Sequence, residues 1–257
     1  MTPRYIIPLI FTIAHLFAEK PPSLPRAQVE ATRFEEAKQN YQRGVAFAEG
    51  DGVEKSYAIA AQYYRKAAAS GYAPAQYDLA YLYENCLGLE CDFKQAAIWY
   101  RKAADQGDAE AQNNLGALYA TGRGVRRDDR QAFHWYQMAA AHHDPEATSN
   151  LGMMYLRGRA VKRDLTKAFQ LFQEAANSGY GVAQNNLALM YANGQGVNRD
   201  FVLAYAWLVV ASDQISGAEQ LRDRVGQEMQ QQDIARANDL AMRTREEIAK
   251  KKAREPK

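Results

Sequence analysis

The only two cysteines, Cys86 and Cys91, lie inside the stretch NCLGLEC with four residues between them. Closely spaced thiols can hold a metal, cycle as a redox couple or close a disulfide. A metal knuckle needs a second ligand pair, and the chain has no further cysteine. A redox pair usually has a two-residue gap at a helix N-terminus. His142, His143 and Asp144 form the one histidine cluster. A zinc site needs more ligands than the sequence places nearby, whereas a histidine closing a helix interacts favourably with the helix dipole. His134 is assigned to the surface of a helix. GRGV at 122–125 has the look of a phosphate loop but no Walker lysine. There is no G-x4-G-K-[ST], G-x-S-x-G, S-x-x-K or H-E-x-x-H. The expectation is a chain that is not an enzyme, with no catalytic residue, metal or cofactor.

Charge narrows the partners. The 257 residues carry 32 basic and 30 acidic side chains, a net +2. A dedicated nucleic-acid binder shows a larger basic excess, so no nucleic-acid partner is expected. Met1–Arg4 is followed by an apolar run, Tyr5–Ala18, broken by Pro8, Thr12 and His15. It is too short to span a bilayer comfortably and has the length of a secretory h-region. Residues 1–18 therefore read as a signal peptide, with an uncleaved anchor or an ordinary N-terminal helix as the alternatives, and the chain as exported, periplasmic or secreted in a bacterium. No stable membrane insertion is expected once such a signal is cleaved. Residues 19–36, with Pro21, Pro22 and Pro25, read as a linker and the start of the first helix.

The elements that position these residues repeat. Leu79, Leu115, Leu151 and Leu187 fall in one column at a period of 36. Tyr83, Tyr119, Tyr155 and Tyr191 fall in another, with Phe47 one period earlier. Ala60, Ala96, Ala132, Ala168 and Ala204 make a third column, and Ala67, Ala103, Ala139, Ala175 and Ala211 a fourth. Tyr63, Trp99, Trp135, Leu171 and Trp207 are the bulky column. Five units run over residues 37–212. Each holds two helices, since Ala111, Leu115, Leu118 and Tyr119 make one apolar stripe and Ala132, Trp135, Tyr136, Ala139 and Ala140 a second. Glycines between them, such as Gly122 and Gly124, suit left-handed C-caps. Val53, Val125, Val161 and Val197 are expected to pin the turn to the core. Ser56, Asp92, Asp128, Asp164 and Asp200 then cap the second helix.

One such pair cannot bury its own stripes, so neighbours must stack into a solenoid. The pattern A-x3-L-G/A-x2-Y-x2-G-x-G-V-x2-D-x3-A-x2-W-Y-x2-A-A is similar to the Sel-1-like repeat family, relatives of tetratricopeptide repeats. Repeat three matches it most fully. Arg43 replaces the column leucine in repeat one, and Ala160 replaces the second glycine in repeat four. The resemblance implies an all-α, right-handed superhelical solenoid of five helix-turn-helix repeats. Residues 213–249 read as helical caps and 250–257 as a basic flexible tail.

The resemblance also implies a function. Family members act as adaptors that assemble protein complexes, often in bacterial envelopes, and bind on the concave face lined by the first helices. By that likeness the inward positions are Tyr77, Asn113, Ser149 and Asn185, then Tyr81, Ala117, Met153 and Leu189 one turn on. Beside them runs Asp78, Asn114, Asn150 and Asn186. Amides in such a column can bond the backbone of an extended protein or peptide partner, or bond a neighbouring helix and hold the stack. Tyr77, Tyr81, Met153 and Met154 offer apolar anchors. A cysteine-rich branch of the family has been linked to penicillin binding and hydrolysis, with a cysteine pair in each repeat. Here only repeat two has one. A further alternative is a structural component that binds cell-wall or polysaccharide machinery.

The register locates the thiols. Cys86 occupies the column of Gly50, Gly122, Gly158 and Gly194, and Cys91 immediately precedes the cap Asp92. In an exported protein a disulfide persists. A Cys86–Cys91 disulfide stapling the turn of repeat two is the expectation.

Overall fold

The computed structural model describes residues 25–254. The expected signal segment, and most of the linker before Arg26, lie outside the described residues. Twelve helices follow: α1 (Arg26–Glu49), α2 (Tyr57–Ala69), α3 (Ala73–Glu84), α4 (Phe93–Ala104), α5 (Ala109–Thr121), α6 (Asp129–Ala141), α7 (Pro145–Arg157), α8 (Leu165–Asn177), α9 (Gly181–Asn193), α10 (Phe201–Ala211), α11 (Ala218–Gly226) and α12 (Gln231–Arg254). Among the described residues there is no strand. Each helix packs on the next in sequence through α10, the pattern of a stacked helical solenoid.

The columns explain the stack. All ten column alanines are at most 1% exposed. They lie where second helices meet first helices, and a larger side chain would push the backbones apart. Leu79, Leu115, Leu151 and Leu187 fill the joint to the preceding unit. Repeat one has no such joint within the described residues, and there Arg43 stands exposed in solvent. Arg65 and Arg101 cross two of these joints, donating to the hydroxyls of Tyr83 (3.1 Å) and Tyr119 (2.6 Å) in the next unit.

One turn geometry serves all five units. The main-chain N–H of each cap residue donates to the carbonyl of the aromatic column. The pairs are Ser56 to Phe47 (2.8 Å), Asp92 to Tyr83 (3.2 Å), and Asp128, Asp164 and Asp200 to Tyr119, Tyr155 and Tyr191 (each 3.0 Å). The side chains of Ser56 and the four aspartates accept from the first turn of the second helix. The second turn glycine has a different duty from the first. A Cβ on Gly124 would stand 2.0 Å from the carbonyl oxygen of Phe93 in the preceding unit, and one on Gly196 2.2 Å from that of Leu165. Gly52, in repeat one, has nothing within 4 Å. Val53 likewise departs from expectation: it is 40% exposed, because among the described residues the turn of repeat one has no preceding unit to meet. Val125 and Val197 do pack against core clusters.

Helix α10 (FVLAYAWLVVA) is apolar almost all round because it is covered from several sides by α9, α11 and α12. Ala237 and Ala241 of α12 pack on Ala206 and Val210. Arg245 ties the same junction, donating to the Val209 carbonyl (2.7 Å) and pairing with Asp213 (2.7 Å). The basic run at 250–254 differs from the expected flexible tail. It continues α12 to Arg254, and Lys251 Nζ reaches Ser178 Oγ (3.3 Å). Cationic side chains in a last turn favour the helix because they face its negative dipole end.

Candidate functional site

The first helices lie on the inner side of the stack. Helix α7 touches α9 directly, and Asn150 of α7 donates to Asn113 Oδ1 of α5 at 3.0 Å. That shared surface carries the row expected from the sequence, and the structure divides it. Asn113 and Ser149 are 3% exposed and Met154 4%, so they serve the stack and offer nothing to a ligand. Asn113 bonds Asn114 Oδ1 (3.5 Å) as well as Asn150, so this part of the amide column does hold neighbouring helices together. Tyr77, Asp78, Asn114, Asn150, Met153, Asn185 and Asn186 are half-buried. Tyr81 is 43% exposed. Tyr77, Asp78, Tyr81, Asn114, Asn150, Met153 and Asn186 form an accessible strip along α3, α5, α7 and α9.

A pocket of about 570 Å³ opens at the N-terminal end of the strip, lined by Tyr41, Lys55, Tyr57, Tyr64, Asp78 and Tyr81 among others. Burial raises the Asp78 carboxyl to about 6, although hydrogen bonding from the Tyr41 and Tyr64 hydroxyls pulls it down. The carboxylates of Glu110 and Asp108 add to the rise. The Tyr77 hydroxyl is held far above its ordinary range by burial and by the Glu110 carboxylate it faces. Helices α3 and α5 carry no lysine or arginine, while α2 and α4 behind them carry Arg65, Lys66, Lys94, Arg101 and Lys102. The inner face of the first units is thus anionic and rich in tyrosine.

A second cleft, of about 1010 Å³, lies at the turn between repeats three and four, against Arg126, Arg127, Asp129 and Ala160. Here Ala160 takes the left-handed conformation of the missing glycine (φ 62°). Asp129 is held low, chiefly by its hydrogen bond from Arg159. The two pair directly, and Arg159 also donates to the Ala120 carbonyl (3.0 Å). Asp129, one of the cleft's two lining aspartates, is therefore engaged in a structural tie.

The cysteines are where the register puts them. Cys86 and Cys91 are joined, with Cα atoms 4.5 Å apart, across the turn of repeat two. Cys86 has φ 59°, the left-handed value of its column glycines. His142 closes α6 and His143 takes φ 62°, where other repeats have Gly71, Gly107 and Gly179. Both are exposed, as is His134.

One functional column escaped the sequence reading. Gln76, Gln112 and Gln184 are at most 4% exposed, and each Nε2 donates to a carbonyl eight residues back. The acceptors are Ala68 (3.1 Å), Ala104 (3.1 Å) and Ala176 (3.3 Å), carbonyls at the ends of second helices that also accept the main-chain N–H of Gly71, Gly107 and Gly179. The signal was present as a recurring Ala-Gln pair at the period of 36. Thr148 breaks the column and bonds the Asp144 carbonyl of its own helix instead (2.8 Å).

A stack of helical hairpins with a partly open inner strip defines a helical-repeat scaffold. The chain belongs to the Sel1 repeat family, which matches it over residues 40–72, 73–108, 109–144, 145–180 and 181–215. Among solved structures it is similar to a Sel1 repeat protein from Oxalobacter formigenes. That likeness has 32% identity and a TM-score of 0.72, and covers 80% of this chain and 84% of the other. It also shares a fold with PilF of Pseudomonas aeruginosa, at 21% identity and a TM-score of 0.56, covering 87% of this chain and 100% of the other. No curated protein matches the chain. Members of this family commonly mediate protein–protein interactions.

Proposed function

We propose that the chain is a non-enzymatic, exported adaptor that holds a protein or peptide partner along its inner face, within a bacterial envelope complex. The observation that carries this reading is the accessible strip of Tyr81, Asp78, Asn114, Asn150, Met153 and Asn186, continuous across four repeats. Amides at a 36-residue period can meet an extended backbone at regular intervals with both donor and acceptor. Tyr81 and Met153 supply adaptable apolar contact between them. The Cys86–Cys91 bond supports export, because disulfides persist in oxidising compartments. No described helix is long and apolar enough to cross a membrane.

The test is a crosslinking capture from envelope extract with the chain as bait, repeated with Asn114, Asn150 and Asn186 changed together to alanine. Loss of a captured partner with an unchanged melting curve supports the reading. Unchanged capture of every partner contradicts it. Turnover of nitrocefin by the pure protein would favour the hydrolytic branch of the family instead.

A further inference from the structure

The pocket at the N-terminal end of the inner face has walls of one kind. Tyr41, Tyr57, Tyr64 and Tyr81 surround it, and Asp78 supplies a carboxylate among them. Tyr41 and Tyr64 lie 5.6 Å apart centroid to centroid, tilted by 31°, so their rings form one continuous wall. Asp78 is half-buried, and no lysine, arginine or histidine forms an ion pair with it among the described residues. The pocket's own cation, Lys55, is engaged over the Tyr57 ring (5.0 Å). Glu49 adds a second carboxylate to the lining.

A desolvated carboxylate without a cation is costly, and a cation placed beside it removes that cost. Tyrosine faces attract the same cation through their quadrupoles. Both features select positive charge, and an aliphatic stem would pack against the rings.

We infer that this pocket receives a lysine or arginine side chain of the partner, with Asp78 pairing its charge and the tyrosines holding its stem. The inference rests on the inner face being the binding surface, and it names the chemistry at one end of it. The partner segment at α1 and α3 is then basic, and the anionic character of α3 and α5 continues the match along the strip.

The test titrates the full chain with an acetylated, amidated pentapeptide of alternating glycine and lysine. Its counterpart with norleucine in place of lysine is the control. The lysine peptide should bind saturably and the norleucine peptide should not. Asp78→Asn should weaken binding by about tenfold or more, with an unchanged or higher melting temperature. Tyr81→Ser, at an exposed position, should weaken it several-fold without altering the melt. Equal binding of the two peptides, full retention by Asp78→Asn, or no saturable binding up to about 1 mM overturns the inference. If Asp78→Asn melts lower, Tyr81→Ser decides alone, and unchanged affinity there overturns it. The broader reading is judged separately. If the Asn114, Asn150 and Asn186 changes still release a captured partner, only the cation pocket falls.

Discussion

Gln112 shows what a single residue does in this scaffold. Its amide occupies a buried position and satisfies the Ala104 carbonyl at the end of the preceding helix. Gln112→Ala should cost about 1 kcal/mol, the net worth of one buried hydrogen bond, because the Ala104 carbonyl keeps the Gly107 N–H. A chemical denaturation midpoint checks it, and an unchanged midpoint contradicts it. The disulfide acts more locally. Reducing Cys86–Cys91 removes a six-residue loop closure, worth roughly 2 kcal/mol in the chain-entropy account. Melting with and without reductant reads that loss. Asp78 gives a pH signature. Its folded-state value of about 6 lies above the unfolded carboxylate value, so the folded chain binds the proton more tightly. That contribution is full below about pH 4 and is lost as pH rises through about 6. Asp78→Asn should therefore gain in melting temperature over the parent at pH 7.5 relative to pH 3.5. An equal difference at both pH values would contradict the burial of this charge. At this scale the two cysteines were legible, because a column glycine replaced by cysteine stands out against the repeat. The glutamines were not, because their role depends on the angle at which two helices meet.

The elements repeat one solution with variations at the ends. The second turn glycine lets the turns of repeats two, three and five approach the preceding second helix, and the need vanishes in repeat one, which meets no preceding unit among the described residues. Gly124→Ala should cost about 3 kcal/mol or more, because its Cβ meets main-chain atoms. Gly52→Ala should cost about 1 kcal/mol, from its left-handed conformation alone. Paired denaturation curves test this, and equal losses would contradict the account of the joint. Helix boundaries, caps and the alanine columns were legible because each answers a local rule that recurs every 36 residues. The exposure of Val53 and the helical course of residues 250–254 were not. Each depends on what stands next to the element, in one case no preceding unit among the described residues and in the other the end of repeat four.

At the scale of the molecule, the period of 36 was enough to imply the stack, because unit-to-unit burial is the way such hairpins cover their apolar faces. Which inner residues stay accessible was not in the pattern. Asn113 and Asn114 are neighbours of the same type, yet one is sealed between helices and the other lines the strip. The difference comes from the closeness of adjacent first helices, which a period alone does not give. The same geometry separates two surfaces, an inner one of tyrosines, amides and carboxylates and an outer one carrying Lys66, Arg101, Lys102 and the exposed Ile98 and Met138. The central claim is that partners use the inner surface. A photoreactive phenylalanine analogue placed at Tyr81, and separately at Ile98, tests it most directly in living cells. Adducts from position 81 and none from position 98 are the predicted result, and adducts from position 98 alone would contradict it.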